Sequence, residues 1–460
     1  MSHQAPATSR SVLALALPMT LAHVTTPLLG LVGATVIGRL GDAALLGAMA
    51  LGAVIFDAIF WSFGSLRMAT AGLTAQAVGA RDNAEVDRTL ARALAAACLV
   101  GLVMVLAQVP LASAAFRLSG ASPEVIAGLS TYFHIRIFAA PFTLANYSIL
   151  GSVLGRGRTD LGLLIQVAIN LVNIALTLLL VLGADMSVAG AGLATLIAEA
   201  AGTGFGLLVL ARLGSHPFRV PLAAVRDPLA LARMLSVNAD VMIRTLLLVA
   251  SIVIFSVLGA RSGDVTLAAN AVLWNLFLVG GFFLDGFATA AETLCGQAVG
   301  ARDEARFRRA VALSLAWCLA FGGAISGVFL IGGDHFIDTV TTNSEVREMA
   351  RQFLVPAALA PLIAALPFAF DGIYIGATWT RAMRNLMLAA TLAYGAVLLA
   401  GQGAGWGNGG LWFAFLGLLG ARGLGQALAY PGLVRRTFAG SRPLVAAGGG
   451  ADLRLGGHDA

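Results

Sequence analysis

The stretch QAVGARD at residues 76–82 recurs letter for letter at residues 297–303, so the two copies lie 221 residues apart. The flanking residues agree, because ATAGLTA precedes the first copy and ATAAETLCG precedes the second. Further upstream, RLGD at 39–42 corresponds to RSGD at 261–264, at a spacing of 222. The sequence therefore contains two copies of one structural plan, and a repeat of this length sets the frame for the whole chain.

Composition places both copies in a membrane. The chain is 58% hydrophobic and only 11% charged, against about 25% charged residues in soluble domains. Apolar runs long enough to cross a bilayer recur along the chain. They predict twelve membrane helices, at about 11–37, 44–70, 89–113, 126–153, 160–182, 187–211, 234–259, 266–297, 308–332, 348–376, 384–402 and 409–433.

The net charge of +6 is a topology signal and does not indicate nucleic-acid binding. All 29 basic residues are arginines, and most fall in the loops after even-numbered helices and near the two ends of the chain. Arginine-rich loops remain on the cytoplasmic side of a membrane. The sequence thus predicts a multi-pass protein of the cell inner (plasma) membrane with both termini in the cytoplasm.

Six helices per copy is an even number, so both copies enter the membrane from the same side. We predict an all-α integral membrane protein with two parallel six-helix lobes related by pseudo-two-fold symmetry, a plan typical of transporters that rock around a central site. The predicted domains are an N-terminal lobe at 1–212, a cytoplasmic linker at 213–231, a C-terminal lobe at 232–438 and a disordered tail at 439–460. Because the repeat is already joined in one chain, we expect a monomer.

Polar residues inside membrane helices are the candidates for function, since each costs several kcal/mol unless it is paired or faces a cavity. Asp285 and Glu292 are seven residues apart and share a helix face, as Asp57 and Trp61 do at a spacing of four. Asp240 and Arg244 are also four apart, and neutralising each other is a structural alternative for that pair. The candidate substrate- or ion-binding residues are Asp57, Trp61, Asn170, Asn173, Thr177, Glu199, Asn238, Asp240, Arg244, Asn275, Asp285, Glu292 and Asp371.

Other features carry no separate chemistry. The three cysteines, Cys98, Cys295 and Cys318, have no metal-ligand spacing and are interpreted as small buried hydrophobic residues. The histidines His23 and His134 are isolated in apolar runs and are interpreted as satisfied buried side chains. No zinc-protease, nucleophile-elbow or phosphate-loop motif occurs, so we expect neither an enzyme nor a cofactor.

Several short motifs together resemble the multidrug and toxic compound extrusion (MATE) family, in its DinF-like branch. These are LP at 17–18, PLLGLV at 27–32, VIG at 36–38, LRM at 66–68, GLTAQ at 72–76, LDGFA at 284–288, DG at 371–372, IGAT at 375–378 and MRN at 383–385. The resemblance runs from about residue 11 to residue 438. It implies a two-lobed antiporter that exports drug-like, often cationic compounds in exchange for protons or sodium ions.

The chain departs from that branch in its first lobe. Relatives usually have an aspartate where this chain has Gly33, and a second aspartate where it has Thr177, four residues after Asn173. Neither residue present here titrates at physiological pH. We interpret Asp57 as the leading replacement, with a structural pairing to Arg67 as its alternative, and Glu199 as a second candidate.

In the second lobe, Asp240, Asp285, Glu292 and Asp371 match positions that are acidic in the resembling branch. We therefore expect this lobe to carry both cation recognition and coupling. The leading hypothesis is proton-coupled export of cationic amphipathic compounds, and sodium coupling is a variant of it. A flippase of a lipid-linked or amphipathic substrate is the alternative, and it requires a basic cavity.

Overall fold

The computed structural model describes residues 7–439, apart from the side chains of residues 26–29 and 31. The described chain is helical almost throughout. Eleven helices are long and apolar enough to cross a membrane within the part described, and the 30-residue helix before them is the twelfth. Residues 440–460 of the predicted disordered tail lie outside the described residues.

We number the twelve membrane helices 1 to 12 in chain order. The first lobe contains Ser9–Gly38, Ala43–Gly79, Asn83–Leu106, Pro123–Gly155, Thr159–Gly183 and Ser187–Arg212. The second contains Pro228–Arg261, Asp264–Gly300, Glu304–Val340, Leu354–Gly376, Thr380–Gly403 and Gly407–Phe438. The predicted twelve-helix, two-lobed fold is thereby confirmed, while the domain boundaries stay a prediction.

Several predicted boundaries were wrong, and local chemistry explains them. Helix 2 was predicted to end near residue 70 but continues to Gly79, with a break at Phe63 and Gly64 between its two halves. Helix 3 ends at Leu106, and a separate helix, Gln108–Ser119, follows. Pro110 lies in the first turn of that new helix, where its missing N–H costs nothing.

The predicted tenth run combined two helices. Ser344–Gln352 is a short polar helix, and Leu354–Gly376 is the membrane helix that follows it. Pro361 and Pro367 lie inside helix 10.

The QAVGARD copies end helices 2 and 8. Glycine near a helix end is often the C-cap, but Gly79 and Gly300 are the last residues of their helices and the caps are Ala80 and Ala301. The left-handed residues that turn the chain are Arg81 and Arg302, with φ of 60° and 53°. Asp82 is the N-cap of helix 3, since its side chain accepts a hydrogen bond from the Glu85 backbone at 2.9 Å.

What Gly79 and Gly300 provide is close approach between the lobes. A Cβ at Gly79 would lie 2.0 Å from the carbonyl oxygen of Gln297, and a Cβ at Gly300 would lie 1.9 Å from that of Gln76. Helices 2 and 8 thus cross backbone to backbone at their C-terminal ends. We call this reciprocal contact the glycine seam.

Glutamine side chains complete the glycine seam on both sides. Gln76 Nε2 donates to the carbonyl of Gly376 at 2.9 Å, and Gln297 Nε2 donates to that of Gly155 at 3.2 Å. The two donors, Gln76 and Gln297, are 221 residues apart, and so are the two acceptors, Gly155 and Gly376. The offset in the sequence therefore relates the contacts on the two sides of the pseudo-two-fold axis.

Contacts between the lobes concentrate on the side that carries the QAVGARD copies, which is the predicted cytoplasmic side. The second half of helix 2 packs on helices 7, 8 and 10, and helix 1 packs on helix 8. The first half, Ala43–Ser62, packs mainly on helices 1, 4 and 6 of its own lobe. The two lobes are therefore closed against each other on the predicted cytoplasmic side.

Substituting Gly79 by alanine should open the glycine seam. The added Cβ meets a backbone oxygen that cannot move aside alone, and overpacking of this kind costs about 1–3 kcal/mol. The measurement is the distance between spin labels at the exposed Ala80 and Ala301, in a chain whose Cys98 is replaced by serine. We expect a longer distance in Gly79→Ala than in the unsubstituted chain.

Gly204→Ala in helix 6 is the matched control, because nothing lies within 4 Å of a Cβ at that helical glycine. The control should retain the short label distance. An unchanged distance in Gly79→Ala would contradict the role assigned to the seam.

Candidate functional site

Asp371 of helix 10 is the centre of a buried polar cluster in the second lobe. Arg244 of helix 7 and Arg422 of helix 12 both form ion pairs with Asp371 Oδ2. Gln426 Nε2 donates to the other carboxylate oxygen at 2.9 Å. One carboxylate is therefore shared by two arginines, and the predicted binding residues Asp371 and Arg244 contact each other.

The alternative pairing of Asp240 with Arg244 was wrong. Asp240 instead accepts from Arg384 Nη1 at 2.6 Å and from Thr380 Oγ1 at 3.0 Å. Both partners lie at the start of helix 11, so Asp240 is fixed near the predicted cytoplasmic edge. This carboxylate is 3% exposed and links helices 7 and 11.

Asp285 and Glu292 of helix 8 face the other lobe. Asp285 lies within electrostatic range of His23 on helix 1, and also of Arg244 and Arg422 in its own lobe. Glu292 is 3% exposed, and its Oε1 has no hydrogen-bond partner in the described part of the chain. The charged group in range of Glu292 is Arg67 on helix 2.

His23 and Arg67 are incompletely satisfied as well. His23 Nε2 and Arg67 Nη1 are buried without a hydrogen-bond partner among the described residues. The interpretation of His23 as a satisfied buried histidine was therefore wrong for this nitrogen. Basic groups of the first lobe thus stand opposite carboxylates of the second.

The predicted asparagine pair forms a chain of neutral hydrogen bonds in the first lobe. Asn170 Nδ2 donates to Thr25 Oγ1 at 3.2 Å, and Asn173 Nδ2 donates to Thr195 Oγ1 at 3.1 Å. Thr177 Oγ1 donates to Asn173 Oδ1 at 3.2 Å. These residues tie helix 5 to helices 1 and 6 without a carboxylate among them.

Gly33 is packed as a glycine. A Cβ there would lie 2.7 Å from the terminal methyl of Met49, which fills the space beside helix 1. The side chain of Met49 therefore occupies part of the place that an aspartate would need.

Asp57 and Glu199 flank Arg136 in the first lobe. Arg136 lies within electrostatic range of both carboxylates, and its guanidinium stacks 4.9 Å from the Phe56 ring centre. Glu199 Oε2 accepts from Asn146 Nδ2 at 2.7 Å. The alternative of an Asp57 pairing with Arg67 is not what the structure shows, because the cation near Asp57 is Arg136.

The other predicted residues lie apart from these clusters. Asn238 and Asn275 each donate to a carbonyl of their own helix, at 2.9 and 3.0 Å. Trp61 shares the exposed face of Asp57 and is itself 53% exposed. Cys98 is exposed rather than buried as expected, whereas Cys295 and Cys318 are buried.

Arginines of the second lobe pair with two of its four candidate acids. Arg244 and Arg422 neutralise Asp371, and Arg384 neutralises Asp240. The sequence showed these arginines but not which carboxylates they contact. Among the described residues, the candidate acids without a direct ion pair are Asp57, Glu199, Asp285 and Glu292.

The sequence profile of the MatE family matches residues 18–179 and 241–399. The chain belongs to the MatE family. The profile matches once in each lobe, at nearly the offset of the QAVGARD copies. Within this family member, the two matched segments span helices 1 to 5 and helices 7 to 11.

Individual relatives agree with this assignment. This MatE chain is 36% identical to the DNA damage-inducible protein F of Escherichia coli strain K12 over 425 residues, which is 90% of each chain. It is 22% identical to the multidrug export protein MepA of Staphylococcus aureus over 79% of its length and 80% of the relative. A MATE structure in a bent conformation superposes with a TM-score of 0.85 at 18% identity, covering 94% of this chain and 97% of the other.

Replacing Asp371 by asparagine should destabilise this MatE protein strongly. Arg244 and Arg422 would lose their shared counter-ion, and breaking a buried ion pair costs about 3–5 kcal/mol. Thermal unfolding in detergent is the measurement. Asp334→Asn removes an exposed 3.4 Å pair with Arg351 and should cost about 0–1 kcal/mol, which makes it the matched control.

The double variant Asp371→Asn/Arg422→Gln should recover part of the lost stability, because it removes one of the two unpaired cations. If Asp371→Asn unfolds at the same temperature as Asp334→Asn, the cluster is not a structural charge triad.

Proposed function

We propose that this protein is a secondary active antiporter of the plasma membrane that exports drug-like, cationic amphipathic compounds in exchange for protons. Its membership in the MatE family and its similarity to a multidrug export protein support drug efflux. The observation that carries proton coupling is the pair Asp285 and Glu292, two carboxylates on one face of helix 8 without a direct ion pair. The arginine-rich loops place both termini in the cytoplasm in this proposal, and one chain acts alone.

Asp285 is the residue on which substrate and proton compete in this mechanism. Its carboxylate is half-buried and belongs to the second lobe, and it stands opposite helix 1 of the first. A carboxylate can neutralise either a bound cation or a proton, so protonation from outside lowers the affinity for the cation. Proton uptake therefore drives substrate release on the outer side.

Rocking of the two lobes moves the site between the two membrane faces. The glycine seam closes the predicted cytoplasmic side in this structure. Breaking the contacts of Gln76 and Gln297 would open that side. Because the contacts on both sides of the seam are equivalent, the lobes can separate there as two rigid bodies.

Sodium coupling is a variant of this proposal. The described residues contain no group of three or more histidine, cysteine or acidic residues suited to hold a metal ion.

A flippase of a lipid-linked or amphipathic headgroup is the second candidate. The buried Nε atoms of Arg244 and Arg422, which lack hydrogen-bond partners within the described part of the chain, favour it. It ranks second because both arginines already contact Asp371.

Efflux of a fluorescent lipophilic cation in everted membrane vesicles tests the proposal. With only a proton gradient imposed, we expect transport, and we expect Asp285→Asn to reduce its rate at least about tenfold, equivalent to about 1.4 kcal/mol. Asp334→Asn, which alters an exposed carboxylate in helix 9, should transport normally.

Transport that requires a sodium gradient and does not respond to the proton gradient would show sodium coupling and contradict proton coupling. Normal transport by Asp285→Asn would remove this residue from the site. Transport of anionic but not cationic probes would favour the flippase candidate.

A further inference from the structure

At the helix crossings that the 221-residue offset relates, two charged residues have an uncharged counterpart in the other lobe. The backbone carbonyls of Arg67 and Ala71 pack against Gly151 and Gly155, and those of Ala288 and Glu292 pack against Gly372 and Gly376. Each position in the second set is 221 residues after its match in the first. At these equivalent crossings, Arg67 of the first lobe corresponds to Ala288 of the second, and Glu292 of the second corresponds to Ala71 of the first. Arg67 and Glu292 are therefore charged residues that break the symmetry of the repeat.

These two charged residues lie on the helices that form the glycine seam. Arg67 is on the second half of helix 2, and Glu292 is five residues before Gln297 on helix 8. Helix 2 belongs to the first lobe and helix 8 to the second. Attraction between their charges therefore acts across the boundary between the lobes.

Neither charge is satisfied inside its own lobe. Glu292 is buried, its Oε1 lacks a partner among the described residues, and the buried Arg67 Nη1 lacks one too. An unpaired carboxylate inside a protein is costly unless an opposite charge is near or the group takes up a proton. For an ionised Glu292, the opposite charge in range is that of Arg67 in the other lobe.

We propose that Glu292 is the coupling carboxylate of this transporter, and that its protonation releases the predicted cytoplasmic closure by removing the attraction to Arg67. This inference rests on the proposed proton antiport and assigns it to a particular pair. The conformational change has the direction that an antiporter needs, because protonation of Glu292 from outside opens the predicted cytoplasmic side. It also places coupling at the lobe boundary, away from Gly33 and Thr177, where the acids of related proteins are absent.

Other titratable or charged groups around this part of helix 8 have different roles. Helix 1 contributes His23, which faces Asp285, and a charge on His23 would strengthen closure. Helix 10 contributes Asp371, which is held by two arginines, and Tyr374, whose hydroxyl donates to the Gln426 carbonyl. On helix 8 itself, Asp285 is two turns away and Cys295 is buried.

Spin labels at Ala80 and Ala301, in the full-length chain with Cys98→Ser, measure the closure directly. The chain is reconstituted without substrate, and the distance between the labels is followed from about pH 5 to about pH 9. This range covers the pKa values that carboxylates reach inside proteins. We expect acid to lengthen the distance in the unsubstituted chain. Glu292→Gln should show the long distance at every pH.

Arg67→Gln should reverse the sign of the response. Without the arginine, the ionised Glu292 is an uncompensated charge in the seam, so acid should now shorten the label distance. The double variant Glu292→Gln/Arg67→Gln should be closed and insensitive to pH, since neither charge remains. This cycle isolates the interaction of the pair from the effect of each substitution, and it keeps the test valid if one single variant does not fold.

Asp334→Asn, which alters an exposed carboxylate outside the site, and His23→Gln are the matched controls, and both should retain opening by acid. Retention of the acid response in Glu292→Gln would overturn the assignment, as would an unchanged sign in Arg67→Gln. Vesicle efflux with the unsubstituted chain tests the antiport separately. Proton-driven efflux together with an intact acid response in Glu292→Gln would refute this inference and leave the proposed function standing.

Discussion

The backbone contact between helices 2 and 8 is the constraint on which the rest of this structure depends. Gly79 lies against the carbonyl of Gln297, and Gly300 lies against that of Gln76, with no room for a Cβ at either glycine. This approach brings the two lobes together on one side of the membrane. The glutamine hydrogen bonds and the placement of Arg67 opposite Glu292 both follow from it.

Charges in the membrane are distributed unequally over this symmetric frame. In the second lobe, Asp371 is enclosed by arginines and holds helices 7, 10 and 12 together. In the first lobe, amides and hydroxyls form hydrogen bonds around Thr177, and Met49 packs beside Gly33. The carboxylates that remain without a direct ion pair include the two on helix 8 that face the other lobe. The acids that arginines neutralise are thus different from the acids to which we assign proton exchange.

Much of the fold could be predicted because its signals are local or periodic. Bilayer-length apolar runs give the helices, and the QAVGARD copies give the offset that the contacts then follow. Helix breaks were predicted less well, since the interruption at Phe63 and Gly64 carries no proline. The role of Gly79 and Gly300 was missed because a glycine near a helix end serves equally as a cap or as a contact surface.

The partners of the charged residues could not be predicted, since they depend on tertiary packing. Asp240 is four residues from Arg244, yet it pairs with Arg384, 144 residues away. The alternative for Asp57 was a pairing with Arg67 on the same helix, whereas Arg136 on helix 4 is the cation beside it. Sequence spacing shows which side chains can meet on one helix, but not which helix lies next to it.

The glycine seam is self-complementary, since the same glycine and glutamine are used from both sides. An interface of this kind is what a two-fold symmetric dimer requires. A single six-helix half could therefore pair with a second copy of itself through this surface. When the two halves are joined in one chain, their sequences no longer have to be identical. One half can then have an arginine and the other a glutamate, while the shared contact surface stays unchanged.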